Sequence, residues 1–245
     1  MNNSSKNRIL IVIVFAVLAV AGVATWYKMF REVPQPEWIT ANGRTDFLYG
    51  SVGAERDAGM PYWIWLALPR IFPEYLPGPG GYASLGFPWE ETREMPVGFS
   101  KKTAGYVRVA GNCAVCHAYS QSNGPDEAPT VFAAGPGHTV EVQRLQTFFK
   151  QCAQDPRFNA DIILDEVGMA TRLPFMDRAI YRYILIPRIR ERLLRSDAII
   201  VDAALWHHSD HPRSDTALRG QLQNLEPHLQ GPEKDALAEY LKTVP

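Results

Sequence analysis

Cysteine is scarce in this chain, with three residues in 245 and no second Cys-x-x-Cys pair. A zinc site built on thiolates would want a second ligand pair at matching spacing, and Cys152 stands alone. Charge of one sign is missing too. Lys and Arg number 25 against 26 Asp and Glu, so nothing in the composition points to nucleic acid as a partner. Long apolar runs are also few. Residues 9–26 form one, whereas the aromatic-rich stretch 60–72 is too short to span a bilayer. Hydrophobic residues still make up 46% of the chain, enough for a core beside that run.

What is present is one short stretch, Cys113-Ala114-Val115-Cys116-His117. It reads C-x-x-C-H, the attachment sequence for a c-type haem, in which two cysteines bind the porphyrin edge and the histidine ligates the iron. Two intervening residues let both sulfurs reach neighbouring edges of one ring, and a histidine directly after the second is held beneath it. Cys113, Cys116 and His117 are therefore the expected haem-binding residues. The competing readings are a thioredoxin-type redox pair and a structural disulfide. The redox pair would want a strand before the motif and a βαβ pattern around it, whereas Gly111-Asn112 precedes it and mostly helical patterns follow. Cys152 reads as a small buried hydrophobe rather than a reactive thiol.

The N-terminus is short, polar and basic through Lys6 and Arg8, and then Ile9 to Trp26 runs without a charge. That length, about 18 residues, is at the short end of what spans a bilayer core, with Trp26, Tyr27 and Lys28 as interfacial aromatics and a cation. Basic residues ahead of it predict the N-terminus inside and the bulk of the protein outside, on the periplasmic face of the cytoplasmic membrane. A retained single-pass anchor is the expectation. Ala19-Val20-Ala21 and Gly22-Val23-Ala24 keep a cleaved signal peptide as the alternative.

Residues 31–46, with Pro34 and Pro36, read as an extended linker. The patch Tyr62, Trp63, Trp65, Leu66 and Phe72 reads as core and haem cover, with a membrane or partner surface as the alternative. Residues 77–81 can only be loop. Thr139 is expected to cap a helix from Val140 to about Cys152. A second helix is expected over Ala160 to Ala170, and a third from Pro174 onward, with a kink or break at Pro187. Asp197 to Trp206 looks helical, and a last helix after Gly231-Pro232 carries Leu237, Tyr240, Leu241 and Val244 at helical spacing. Arginines from Arg172 to Arg195 make the third helix basic, a face suited to haem propionates, anionic lipid or an acidic partner, or simply a solvated surface.

The tail GPEKDALAEYLKTVP resembles the C-terminal helix of class I cytochromes c. A second resemblance covers roughly Phe47 to Arg195. The runs YGSVGAERDAGMPYWIWLALPRIFPEYLPGPGGYASLGFPWEE and MPVGFSKKTAGYVRVAGNCAVCH, followed by DPRF and YRYILIPRIR, are similar to the N-terminal half of di-haem cytochrome c peroxidases and latex-cleaving di-haem oxygenases. Those relatives carry a second C-x-x-C-H, which is absent here, so haem c at Cys113, Cys116 and His117 and the surrounding fold carry over, while two-haem catalysis does not. The class I resemblance also implies a methionine as sixth iron ligand at the sequence distance of Met176, with Met169 second. Histidine alternatives are His138, the group His207, His208 and His211, and His228.

The sequence thus predicts a mainly α protein: an N-terminal transmembrane helix (1–30), a linker (31–46) and a helical cytochrome c-like domain with long Gly/Pro-rich loops (47–245). It predicts one covalently attached haem c and no catalytic residue. Its expected role is single-electron transfer with redox proteins, possible membership of a membrane oxidoreductase complex included. A haem peroxidase or oxygenase with an open sixth position is the alternative.

Overall fold

An uncharged apolar run has no side chain with which to satisfy its backbone polar groups, so it satisfies them internally as a helix. In the computed structural model of the chain, which describes residues 3–90, 92–121, 129–135 and 139–195, that helix is α1, Asn3–Phe30. Its stretch Ile9–Phe30 has 22 residues and a mean hydropathy of 2.8, and its apolar window is not buried against the rest of the chain. At 1.5 Å per residue this is about 33 Å, enough by length and composition to cross a bilayer core. The helix runs on past Trp26, where the sequence pattern ended.

The stretch expected as an extended linker carries structure instead. Glu32–Val33 (β1) pairs antiparallel with Thr103 and Ala104. Glu37–Thr40 (α2) buries Ile39, and Gly43–Tyr49 (α3) starts at Asn42, whose side chain accepts from the Thr45 N–H at 3.1 Å. Gln35 explains the attachment. Its amide donates to the carbonyls of Tyr49 and Lys101, both at 3.2 Å, and its oxygen accepts from the Ser51 N–H at 2.6 Å.

Met60–Pro61 (β2), Phe99–Ala104 (β3) and Tyr106–Gly111 (β4) complete a four-stranded antiparallel sheet in the order β1-β3-β4-β2. The sheet adds strands that the mainly α expectation did not include, and helices still dominate the described residues. Gly105 alone joins β3 to β4, at φ +81°, and its N–H donates to the Arg31 carbonyl at 2.6 Å. A Cβ there would stand 2.0 Å from the Met29 carbonyl oxygen. The tip of the hairpin is thus seated against the end of α1, and an ion pair from Lys28 to Asp177 closes the same junction.

Between β2 and β3 lies Tyr62–Ile71 (α4), with Ile64, Trp65 and Leu68 buried. Pro69 sits in its last turn and cannot donate to the Trp65 carbonyl. The Tyr82 hydroxyl makes that bond instead, at 2.7 Å, and its ring stacks on Trp65 with centroids 4.3 Å apart. Tyr62, Trp65 and Phe72 are buried and Trp63 and Leu66 half-buried, so the aromatic patch is core. Short 3₁₀ turns at Pro73–Tyr75 and Gly81–Leu85 follow.

Beyond the C-x-x-C-H stretch, Ala118–Gln121 (β5) and Thr130–Ala133 (β6) pair antiparallel; α5 is described with the site below. Helix α6 is Val142–Gln154, starting two residues later than expected because the Glu141 N–H is taken by the Leu85 carbonyl at 2.9 Å. It buries Leu145, Phe148, Phe149 and Cys152. The turn after it is clamped by Arg157, which pairs with Asp155 and Glu74, donates to the Ile71 carbonyl and lies 4.8 Å from the Phe72 ring centroid. Helix α7, Ala160–Ala170, matches the expected span and packs on α4.

The expected break at Pro187 does not occur. Phe175–Ile180 (α8) passes through a π turn, Tyr181–Leu185, into Ile186–Arg195 (α9). The Ile186 N–H donates to the Tyr181 carbonyl, five residues back, and this wider turn absorbs the ring that a tight helix would exclude. Ile186, Ile189 and Leu193 face the core, and Arg190 Nε donates to the Ala153 carbonyl of α6 at 2.9 Å. The helices expected over 197–206 and after residue 232 lie outside the described residues.

Replacing Gly105 by alanine adds both left-handed strain and a backbone collision, together about 3 kcal/mol. Gly53→Ala, at φ +91° with nothing within 4 Å, isolates the strain at about 1 kcal/mol. Thermal melting and limited proteolysis of the full chain in detergent are expected to show the larger loss, and cleavage near Lys28 and Arg31, only in Gly105→Ala. Equal melting shifts would mean that the hairpin tip does not hold α1.

Candidate functional site

The C-x-x-C-H residues begin where β4 ends. Gly111 pairs with Phe99, and the next residue, Asn112, is 3% exposed and fully bonded. Its N–H donates to the Gly98 carbonyl at 2.8 Å, its side-chain amide to the Gly50 carbonyl at 3.0 Å, and its side-chain oxygen accepts from the Ala114 N–H at 2.9 Å. That last bond supplies a partner for an N–H at the start of the following helical turn, Ala114–His117 (α5). Gly98 closes the other side. It stands at φ +89°, its N–H donates to the Leu48 carbonyl, and a Cβ there would lie 2.6 Å from the Val115 nitrogen. The turn is therefore pinned by β4, by the segment ahead of β3 and by the end of α3.

One helical turn sorts the five residues by face. Cys113, Cys116 and His117 fall at i, i+3 and i+4, on one side. Ala114 and Val115 occupy the other and are buried at 2% and 5% exposure. Cys113 is buried at the root, Cys116 is exposed and His117 half-buried. The His117 carbonyl accepts from the Gly135 N–H at 2.9 Å, which fixes the exit into β5. Beside the motif, Arg44 donates to the Val131 carbonyl of β6 at 2.8 Å and pairs with Glu90, and the Tyr49 hydroxyl donates to Glu90 at 2.8 Å. Burial and then Glu90 hold the Tyr49 hydroxyl well above its ordinary pKa.

Burial pushes the Cys113 thiol up to about 12 and raises that of Cys116 as well. Burial, with Asp155 next, does the same to Cys152 in α6. A redox Cys-x-x-Cys pair needs the opposite shift. A strand does precede the motif, contrary to the sequence expectation, but it belongs to an antiparallel hairpin, and among the described residues no parallel crossover follows. No disulfide joins the three cysteines. Among the described residues no group of three or more His, Cys, Asp or Glu is arranged to hold a bare metal ion. The donor set fits haem c, which asks for two thiols at a porphyrin edge and one imidazole to the iron.

The described contacts place Met176, the first sixth-ligand candidate, toward the opposite end of the hairpin and leave Met169 on the surface of α7. Met176 precedes Asp177, whose partner Lys28 lies with Gly105 at the tip of the hairpin. The motif is at the hairpin's other end, six residues away, about 20 Å at roughly 3.4 Å per residue. Met176 is packed against the core there, and Met169 on α7 is 77% exposed. His138, His207, His208, His211 and His228 lie outside the described residues. Two residues that hold the motif escaped the sequence reading. Asn112 had a signal, since an Asn just ahead of a helical turn is a capping residue. Gly98 had none, because its partner Val115 is distant in sequence.

Comparison of the chain with family models, with curated proteins and with solved structures gives no match.

At pH 8 a thiol with a pKa of about 12 is ionised in about one molecule in ten thousand. Iodoacetamide on the folded, haem-free chain is therefore expected to modify the exposed Cys116 first and to leave Cys113 and Cys152 unmodified, with all three reacting in denaturant. Raising the pH toward 11 should bring Cys113 in. Peptide mass spectrometry reads the order, and early labelling of Cys113 would contradict the buried position.

Proposed function

We propose that the chain is a membrane-anchored mono-haem cytochrome c that passes single electrons between redox partners, with its haem domain on the periplasmic face and with a membrane oxidoreductase complex as its host or partner. Cys113 and Cys116 hold the group by thioether bonds, and His117 is the proximal ligand. The observation that carries this reading is the helical turn that sets both thiols and the imidazole on one side, Cys113 buried at its root, Cys116 exposed and His117 half-buried, while Asn112 and Gly98 lock Ala114 and Val115 on the other. When bound, haem c supplies a one-electron iron couple. The chain's own contribution is to fix the imidazole. Backbone bonds from Cys116 and His117 to the Cys113 carbonyl, at 3.2 and 3.1 Å, hold the turn, and the bond to Gly135 holds its exit. A fixed turn lowers the reorganisation that accompanies a change of iron charge.

The resemblance of residues 47–195 to the N-terminal half of di-haem peroxidases and oxygenases, and of the tail to class I cytochromes c, agrees with haem at this site. Lys6 and Arg8, ahead of the apolar stretch Ile9–Phe30 of α1, support the orientation. A second reading has a specific observation in its favour. Met176 neighbours Asp177 at the hairpin tip, away from the motif, and an iron without a sixth protein ligand binds small molecules and suits a peroxidase or oxygenase.

The test is the optical spectrum of the chain expressed with a haem c maturation system. The haem is expected to stay attached on a denaturing gel, and Cys116→Ala or His117→Ala to lower its incorporation at least tenfold. Loss of all colour in denaturant from the native sequence would end the haem c reading. Added carbon monoxide separates the two functions: an unchanged low-spin spectrum fits the carrier, and immediate binding to the reduced iron fits the enzyme. Met176→Ala and Met169→Ala are expected to leave the spectrum unchanged.

A further inference from the structure

The arginine-rich face of α9 has no part in the haem site. The chain places it at the far end of the β3–β4 hairpin, where α1 ends. A cleft there is lined by Lys28, Met29 and Arg31 of the α1 exit, by Gly105 and Tyr106 of the hairpin tip, and by Trp63. Trp26 and Tyr27, 63% and 57% exposed on the last turns of α1, mark the headgroup level, as interfacial aromatics do.

Cations gather around this level. Arg108 lies 4.2 Å from the Tyr106 ring centroid, and its guanidinium is spent on the carbonyls of Ala104, Glu55 and Arg56 rather than on a carboxylate side chain. Arg188 and Arg192 stand at i and i+4 on one face of α9, exposed and half-exposed, within electrostatic reach of Tyr106. Their positive charge draws the Tyr106 hydroxyl back down against the rise that burial causes, and Arg192 with Arg56 adds to the lowering of Arg108. Three carboxylates share the region. Asp177 is paired with Lys28, Glu32 with Arg56, and Asp57 faces Arg108. Among the described residues no carboxylate is within ion-pair distance of Arg31, Arg188 or Arg192, so excess positive charge remains beside the bilayer.

We propose that this basic surface, carried by Arg31, Arg188 and Arg192 beside the α1 exit, binds the headgroups of anionic phospholipids. The lipid is favoured over haem propionates because the motif lies at the other end of the hairpin. It is favoured over an acidic protein because the same cleft is lined by Lys28, Met29 and Arg31, directly after the interfacial aromatics Trp26 and Tyr27. An arginine near an anionic bilayer surface contributes about fivefold to binding. Bound headgroups would also hold the domain at one tilt, since α1 and the hairpin tip are already joined.

The experiment uses the full chain in mild detergent, titrated with phosphatidylglycerol or phosphatidylcholine and read by native mass spectrometry of retained lipid. It needs no haem, so its outcome is independent of the proposed electron transfer. Phosphatidylglycerol is expected to bind at least tenfold more tightly than phosphatidylcholine. Arg188→Gln with Arg192→Gln should weaken phosphatidylglycerol roughly 25-fold and leave phosphatidylcholine unchanged. Arg188→Lys with Arg192→Lys, which keeps the charge, should stay within about threefold of the native chain. Both pairs are surface changes, and an unchanged far-ultraviolet circular dichroism spectrum verifies folding. Equal retention of the two lipids, or a Gln pair that keeps the native preference, would overturn the proposal, and charge reserved for an acidic protein partner would give the first of these.

Discussion

The β3–β4 hairpin is the constraint on which the rest of the molecule depends. Its register is fixed along its whole length, from Phe99 opposite Gly111 to Ala104 opposite Tyr106. Each end is closed by a glycine at positive φ with no room for a side chain. Gly98 lies against Val115 of the cysteine motif, and Gly105 against Met29 of the membrane helix. A pleated strand changes length very little. The hairpin therefore acts as a spacer of nearly fixed length between the cysteine motif and the apolar helix α1, and neither end can slide without breaking the pairing of the other.

A buried polar network reinforces this spacer from below. Glu55 is 1% exposed and accepts from the hydroxyls of Ser51 and Ser100, and Ser100 is a residue of β3. A carboxylate so deeply placed costs several kcal/mol unless hydrogen bonds replace its water. Here they come from two different segments, so the network specifies how those segments sit as well as satisfying the charge. Gln35 extends the same arrangement to the stretch after α1, which is why residues 31–46 form part of the domain instead of hanging as a tether.

Legibility in the sequence followed the range of the interaction that decides each element. The C-x-x-C-H stretch, the apolar run of α1 and the α7 span 160–170 are set by neighbours within a few positions, and each was readable. Helix α6 was readable except for its first turn, which a distant backbone partner at Leu85 removes. The hairpin was missed because FSKKTA and YVRVAG are short, only half alternating, and joined by a single glycine with no familiar turn pair. Pro187 misled for a related reason. A proline forbids a tight helical bond but says nothing of whether packing will supply a π turn, as burial of Tyr181, Leu185 and Ile186 does here. The methionines were placed by sequence distance alone, a one-dimensional measure that the fold does not respect.

Charge is arranged along the same axis as structure. The whole chain is nearly neutral, at −1, yet Arg188 and Arg192 of α9 collect with Arg31 and Arg108 at the end of the hairpin where α1 stops. At the motif end, Arg44 is matched by Glu90 and its remaining donor goes to a backbone carbonyl. Uneven charge on a neutral protein creates a dipole, and a dipole with its positive pole at the bilayer is attracted by an anionic leaflet over about a Debye length. The anchor alone fixes depth but leaves the domain free to rotate about its stalk. Charge at the stalk's base, rigidly continuous with the hairpin, removes part of that freedom. Cys116 and His117 lie at the opposite end of the hairpin from these charges.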